Sequence, residues 1–478
     1  MLKIDLLAYI WVEDDKIGDI SVENRRKASL GDHMLKFIND NIISAITPIL
    51  LLLSGLYFSF KLGGFYIRHP IKIIRSMCHT PKKDGISPFR AVTLALAGTL
   101  GVGNIAGVAS SIAIGGFGSI FWMWVSALVA MVLKYAEIVL AIAHRRIENG
   151  EYRGGAPYYI YDFFTAKGKK LFGKLLGAFF AVLCIINAIT MGGMIQSNAV
   201  STSFEGVLHI PGWLVGAIVA LLSLFVIIGN AKWVSAFSEK TVPLMTVGYI
   251  LLSVAVLAAR HEYIGDAFAV IFNDAFTFNS AAGGIFGFLI SRGLKAGTMR
   301  GLMSNEAGCG TAPTAHAAAE CNSPAEQGFW GIFEVFVDTI LLCTLTALVI
   351  IVAALGGGNI LSFGDDPMMM AIKAYSSVLG GWSEYYMTIS VFLFAFATIV
   401  CWAHYGKESI LYLTKKKPPV TIYVILFSLF VFIGAISAPK SAWLAADLAL
   451  GVMTIINLVV LFLMRHEVKK ETDKFFKK

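Results

Sequence analysis

Residues 98–107 read "GTLGVGNIAG": four glycines and an asparagine in ten positions. They interrupt an apolar run that extends from Ala91 to Ile114. Glycine weakens a helix, and the run is long enough to need one. Two readings compete. Gly103 and Gly107 form GxxxG, which lets another membrane helix approach closely. That reading leaves Gly98, Gly101 and Asn104 unexplained. The other reading is a broken helix. Unwinding at mid-membrane frees N–H and C=O groups that lipid cannot satisfy, so such backbone must line a cavity or bind something. A half-helix N-terminus attracts a carboxylate, and freed carbonyls coordinate a cation.

The rest of the chain has the composition this reading requires. It has 478 residues, 57% of them hydrophobic and only 15% charged. Mean hydropathy is +0.72. A soluble domain carries about 25% charge. Apolar runs of roughly 20 residues recur without the alternation of barrel strands. The fold class is therefore all-α and polytopic. We read eleven spans: 41–60, 91–114, 118–143, 172–199, 212–229, 234–258, 276–296, 328–354, 384–404, 420–437 and 442–464.

Charge then sets orientation. With 61–90 in the cytoplasm, the inner segments hold 29 of the 39 Lys and Arg residues. The outer loops hold Arg260, Lys373 and Lys440. We expect a multi-pass protein of the plasma (inner) membrane, N-terminus outside and C-terminus cytoplasmic. The excess positive charge is an orientation signal, and no nucleic-acid motif accompanies it. The six cysteines are scattered and read as reduced packing residues. Residues 1–33 form a polar N-terminal tail or extension, and we expect Met34 to be the native start. A basic tail, 467–478, closes the chain.

A second glycine-rich stretch, "NSAAGGIFGFLISRG" at 279–293, falls in the seventh span. It lies five spans after the first, in an oppositely directed helix. Two broken helices in oppositely oriented five-span units are the mark of an inverted-repeat transporter. Spans two to six (91–258) make one repeat, and spans seven to eleven (276–464) the other. The helix 41–60 is an extra, and residues 34–466 form one transporter domain.

Five motifs add a resemblance: "GTLGVGNIAGVASSIAIGG", "RGGAPYYI", "GGMIQSNAVS", "RGLMSNEAGCGTAPTAHAAA" and "FAFATIVCWAHYG". From about residue 35 to 465 the chain resembles the alanine or glycine:cation symporter family, the sodium:alanine symporters. The resemblance implies a LeuT-like fold and coupled uptake of alanine or glycine with Na⁺, or with H⁺ in some members. It implies that Val102, Gly103 and Asn104, beside Gly101, meet the substrate carboxylate. It places the Ala97 and Leu100 carbonyls at a Na⁺ site, completed by the Ala395 carbonyl and Thr398 hydroxyl. It aims Gly283 and Gly284 at the substrate ammonium. The chain departs from the family pattern at Val102, where a hydroxyl residue is usual, and at Ala397 and Ala403, where serines are common. His404 stands where an aromatic is usual.

Other polar residues read as follows. Gln196 and Asn198 either line the substrate site and outer pathway or act as interhelical glue. Lys134 and Glu137, three apart, can pair on one helix face. Glu334 and Asp338, four apart, either carry a proton or line the inner pathway, or else bond to "SNEAG" at 304–308. Met303 to Gly310 reads as a cytoplasmic loop or gate. There is no HExxH, GxSxG or Walker motif. We expect no enzyme activity and no cofactor, only a coupling ion. A monomer in the bilayer is the expected functional unit. A channel, a membrane hydrolase built on Glu334 and Asp338, and a sensor are the rival readings.

Overall fold

The computed structural model describes residues 30–77, 86–148, 150–228, 231–276, 292–437 and 440–477. Among the described residues, eight helices are long and apolar enough to cross a membrane. They are α1 (Met34–Lys61), α4 (Ser119–Ala143), α5 (Lys170–Leu208), α7 (Val234–Ala259), α9 (Pro324–Leu355), α10 (Trp382–Leu413), α11 (Pro418–Ile436) and α12 (Ser441–Leu463). Shorter helices complete the frame: α2 (Pro88–Thr99), α3 (Ala106–Gly115), α6 (Gly212–Ile227), α8 (Arg292–Asn305) and α13 (Arg465–Phe476). One small hairpin pairs Arg146–Glu148 with Glu151–Arg153.

The apolar surface is arranged for lipid. Leu221, Phe225, Leu244 and Leu251 point outward and are exposed, while Lys134, Glu137, Glu334 and Asp338 are fully buried. This inverts the soluble pattern, as a bilayer permits.

α4 is the central post. α8 lies against it along Gly293, Gly297 and Gly301, a four-residue repeat on one helix face. A Cβ on Gly297 would come within 2.1 Å of the Ser119 carbonyl. On another side α9 brings Gly328 to Tyr135 and Gly331 to Ile138. Small residues let these backbones touch, and dispersion then holds them without a hydrophobic driving force.

The second span is broken as its glycines predict. α2 begins at a Ser87 cap, which accepts from Arg90 N at 3.2 Å, with Pro88 at the first helical position. It stops at Leu100. Gly101 is extended, Val102–Asn104 form a single 3₁₀ turn, and α3 starts at Ala106.

The described second break lies elsewhere than expected. Residues 279–287, with Gly283 and Gly284, fall outside the described residues. α8 runs from Gly115, at the end of α3, down to Ser304 beside Gly103. There the helix stops. Glu306, Gly308 and Gly310 all have positive φ, and a short helix resumes at Pro313–Ala317. Met303–Gly310 is thus the interior of an interrupted helix, which corrects the reading as a cytoplasmic loop. Polar Asn305 and Glu306 would be costly in a membrane helix without partners. Buried partners from α4 and α9 remove that cost. Arg292, Lys295 and Arg300 consequently sit on the same side as Gly115, the side read as outer. Moving those three leaves 26 of the 39 basic residues on the side read as inner, against six in the loops and α8 on the side read as outer, so the expected charge bias keeps its sign.

Candidate functional site

The two breaks meet. Asn104 of the first donates from Nδ2 to Asp338 Oδ1 at 2.7 Å and to Ser304 Oγ at 3.1 Å. Its Oδ1 accepts from Gly101 N at 3.0 Å, so one side chain both caps its own break and ties it to α8 and α9. Its carbonyl accepts from Thr346 at 2.8 Å. Val102 N donates to Gln196 Oε1 at 3.0 Å, and Gln196 Nε2 donates to the Met191 carbonyl at 3.2 Å. Gln196 follows a π-helical stretch, Ala188–Met194, and Asp338 lies inside another, Phe336–Cys343. Such bulges interrupt the regular helix ladder and mark functional positions.

A small pocket of about 10 Å³ is lined by Gly101, Val102, Gly103, Gln196, Met303 and Trp443, among others. That is room for about one water. Beside it lies a cavity of about 560 Å³ reached past Val102, Ile195 and Trp443. Asn198, Thr202, Arg300 and Asp366 face this larger space. Gly101, Val102, Gly103 and Gln196 therefore share one pocket. Asn198 lines the larger cavity and also donates to the Ser437 carbonyl at 3.1 Å. Asn104 is turned to the junction of the breaks. A Cβ on Gly103 would meet Ser304 Cα at 3.4 Å, an ordinary contact, and nothing lies within 4 Å of a Cβ on Gly107, so neither glycine is required here for close helix approach and the GxxxG reading gains no support.

A second cluster is made of oxygens. Thr398 Oγ1 lies 3.0 Å from the Ala97 carbonyl, 3.4 Å from that of Leu100 and 3.0 Å from that of Phe394. A hydroxyl has one proton and serves one acceptor at a time. The remaining lone pairs are an all-oxygen set of the kind hard cations prefer. Ala395 is buried three residues earlier on the same helix.

α4 holds both edges of the second break. Lys134 Nζ donates to the freed Asn305 carbonyl at 2.8 Å and pairs with Glu334 at 3.1 Å. Glu137 accepts from Gly308 N at 3.2 Å, Gly310 N at 2.9 Å and Asn457 Nδ2 at 2.8 Å. A cation thus faces the C-terminal end of one half-helix and an anion the freed N–H groups beyond it, as the dipoles require. The reading in which Lys134 and Glu137 can pair on one helix face thus gives way to one in which each bonds to the second break. Glu334 also meets His316 at 3.0 Å, and Asp338 accepts from Ser304 at 2.9 Å. The bonding to "SNEAG" is therefore real for Asp338. Sequence reasoning missed Met303, Ser304 and Trp443. Gly308 and Gly310 beside Asn305 were the available signal.

At the inner end, His144 bridges Asp162 at 3.1 Å and Glu467 of α13 at 3.0 Å. Burial disfavours the charged ring, but the two carboxylate hydrogen bonds outweigh it and bring its pKa up to about 9.

A polytopic helical protein with two interrupted helices joined at their breaks is a secondary transporter of the LeuT-like fold. Residues 27–478 match the model of the sodium:alanine symporter family, and the chain belongs to that family. Sodium/alanine symporter AgcS of Methanococcus maripaludis is 35% identical over 456 residues, 92% of this chain and 96% of that one. Probable sodium/glutamine symporter GlnT of Bacillus subtilis is 32% identical over 436 residues, 91% of this chain and 88% of that one. Among solved structures, MhsT in complex with L-phenylalanine aligns with TM-score 0.56 at 14% identity, over 78% of this chain and 88% of that chain. The chain is a cation-coupled amino acid symporter and not an enzyme.

Proposed function

We propose that this symporter carries alanine, or glycine, inward with Na⁺ across the plasma membrane, as a monomer with its C-terminus in the cytoplasm. The observation that carries the substrate size is the pocket at the first break. Met191, Ile195, Met303 and Trp443 crowd a space of about 10 Å³, and the smaller the side chain of a bound amino acid, the less these bulky groups have to move. We assign the substrate carboxylate to the Gly101–Asn104 turn, where it takes the place of the Asn104 and Gln196 side-chain oxygens that hold the Gly101 and Val102 N–H groups here. Na⁺ is held by the Ala97 and Leu100 carbonyls with Thr398, and the Ala395 carbonyl supplies the fourth oxygen. Gly283 and Gly284 lie outside the described residues, and we assign the ammonium to the second break without choosing its atoms.

The driving force is adequate. One charge moving through 100 mV yields about 2.3 kcal/mol, and a tenfold Na⁺ gradient adds about 1.4 kcal/mol. Labelled-alanine uptake into proteoliposomes under an imposed Na⁺ gradient tests the reading. Uphill uptake that glycine inhibits and glutamine leaves untouched supports it. Uptake inhibited as well by glutamine overturns the size limit, and no uphill uptake overturns Na⁺ symport.

A further inference from the structure

Four carboxylates are fully buried around the second break: Glu137, Glu306, Glu334 and Asp338. One buried lysine, Lys134, accompanies them. Four anions cannot share one cation in a dry interior, because an isolated buried charge neutralises instead. Donor bookkeeping decides which one does. Glu137 accepts three N–H bonds, from Gly308, Gly310 and Asn457. Asp338 accepts from Asn104, Ser304 and Thr339. Glu334 has the ammonium of Lys134 and the ring of His316, whose other nitrogen meets Gln327. Glu334 Oε1, like Glu306 Oε1, makes no hydrogen bond, but it faces the Lys134 ammonium at 3.1 Å, so each of these three is served as an anion. Glu306 is not. It accepts one hydroxyl, from Thr311 at 2.6 Å, and its Oε1 has no partner among the described residues.

The surroundings of Glu306 point the same way. Lys134 is the cation acting on it among the described residues, and that ammonium is bonded to Glu334 and Asn305. Glu334 and Asp338 repel a further negative charge. The titratable side chains from the packed elements that feel its charge include Cys184 on α5, Cys401 and Tyr405 on α10, and Cys309 within the break, all thiols or a phenol. Glu306 also has a φ of +53°, a conformation that non-glycine residues seldom hold without a structural reason. It belongs to neither half-helix, so any rearrangement of the break changes its surroundings directly.

We propose that Glu306 is a proton site of the transport cycle: it holds a proton in the closed arrangement seen here, and exchanges it with water when α5 and α10 separate from the two breaks. The proposal rests on the symport reading and adds a titrating residue to it.

The test uses the full-length protein in proteoliposomes under a fixed Na⁺ gradient. Labelled-alanine uptake is followed from about pH 6 to 9, with a trapped pH dye reporting proton movement. We expect alanine-dependent proton movement and a pH-dependent rate in the native protein. Glu306→Gln, which copies the neutral form, loses the dye signal, and its remaining uptake varies less than about twofold over that range. Glu306→Asp retains titration with a displaced midpoint. Native uptake with no alanine-dependent proton signal overturns the proposal and leaves Na⁺ symport standing. So does a Glu306→Gln profile matching the native one. If Glu306→Gln does not fold, the native dye signal and the Glu306→Asp midpoint decide. No Na⁺-driven uptake at any pH removes both readings.

Discussion

The Thr398 hydroxyl reaches the Ala97 carbonyl across 3.0 Å, joining helices whose residues are 301 positions apart. The same hydroxyl lies 3.0 Å from the Phe394 carbonyl one turn back on its own helix. The second contact alone would be ordinary threonine back-bonding. The first brings the end of a broken helix into the same oxygen cluster. Thr398→Ala should raise the Na⁺ half-saturation about tenfold, the equivalent of one oxygen ligand worth about 1.4 kcal/mol. Thr398→Ser should restore most of it. An unchanged Na⁺ dependence in the alanine variant would remove Thr398 from the ion site.

Gly101 allows no side chain. A Cβ there would lie 2.6 Å from Thr398 Oγ1 and 3.0 Å from Gln196 Oε1. Gly101→Ala should displace both groups and abolish alanine binding, while the protein still elutes as a folded species in detergent. Native affinity in that variant would show that the turn does not touch the substrate.

Gln196 is the acceptor for Val102 N. Gln196→Leu leaves that buried N–H unsatisfied, at a cost of about 1–3 kcal/mol. The alanine KM should rise roughly tenfold to a hundredfold by the same measure. A purely interhelical role would instead lower the melting temperature and leave KM near native. Transport assays paired with thermal melts separate the two.

Lys134 pairs with Glu334 in full burial. Removing one partner of such a pair costs about 3–5 kcal/mol, because the other charge is left alone. Lys134→Met should therefore destabilise strongly, and the double variant Lys134→Met with Glu334→Leu should recover part of the loss. Thermal unfolding in detergent measures both.

The docking of α13 should be pH-dependent. His144 is charged up to a pKa of about 9, above its ordinary value, so its contribution is complete below the ordinary histidine range and is lost as pH rises through about 9. Its hydrogen bonds to His144, together with the charge it supplies, hold Glu467 below the usual carboxylate range against burial. That contribution is present above the usual glutamate value and lost on strong acidification. Proteolysis within 465–476 should accelerate above pH 9 in the native protein. His144→Ala should be as susceptible at neutral pH.

The first break was legible because its polar requirements stand out in an apolar run. Glycines and an asparagine between Ala91 and Ile114 have no other economical explanation. The second was not. Asn305 and Glu306 carry the polarity of a loop, and the groups that neutralise their surroundings, Lys134 and Glu137, lie about 170 positions away. At three-residue spacing those two look like each other's partner. Met303 and Trp443 line the pocket but are core residues by type, and only the fold turns them inward. Thr398 came from the resemblance, since a lone threonine in a span bonds more often to its own helix.

The glycine face of α8 has a mechanical consequence. Gly293, Gly297 and Gly301 set its backbone directly on α4, and α4 grips the second break through Lys134 and Glu137. These parts form one rivet rather than a hinge. Rocking between inward and outward access therefore has to shear the softer seam, where the first break meets α5 and α10 through Gln196 and Thr398. In the proposed reading the ligand and ion lie astride the surface that slips, so binding either one would weld the two bodies together.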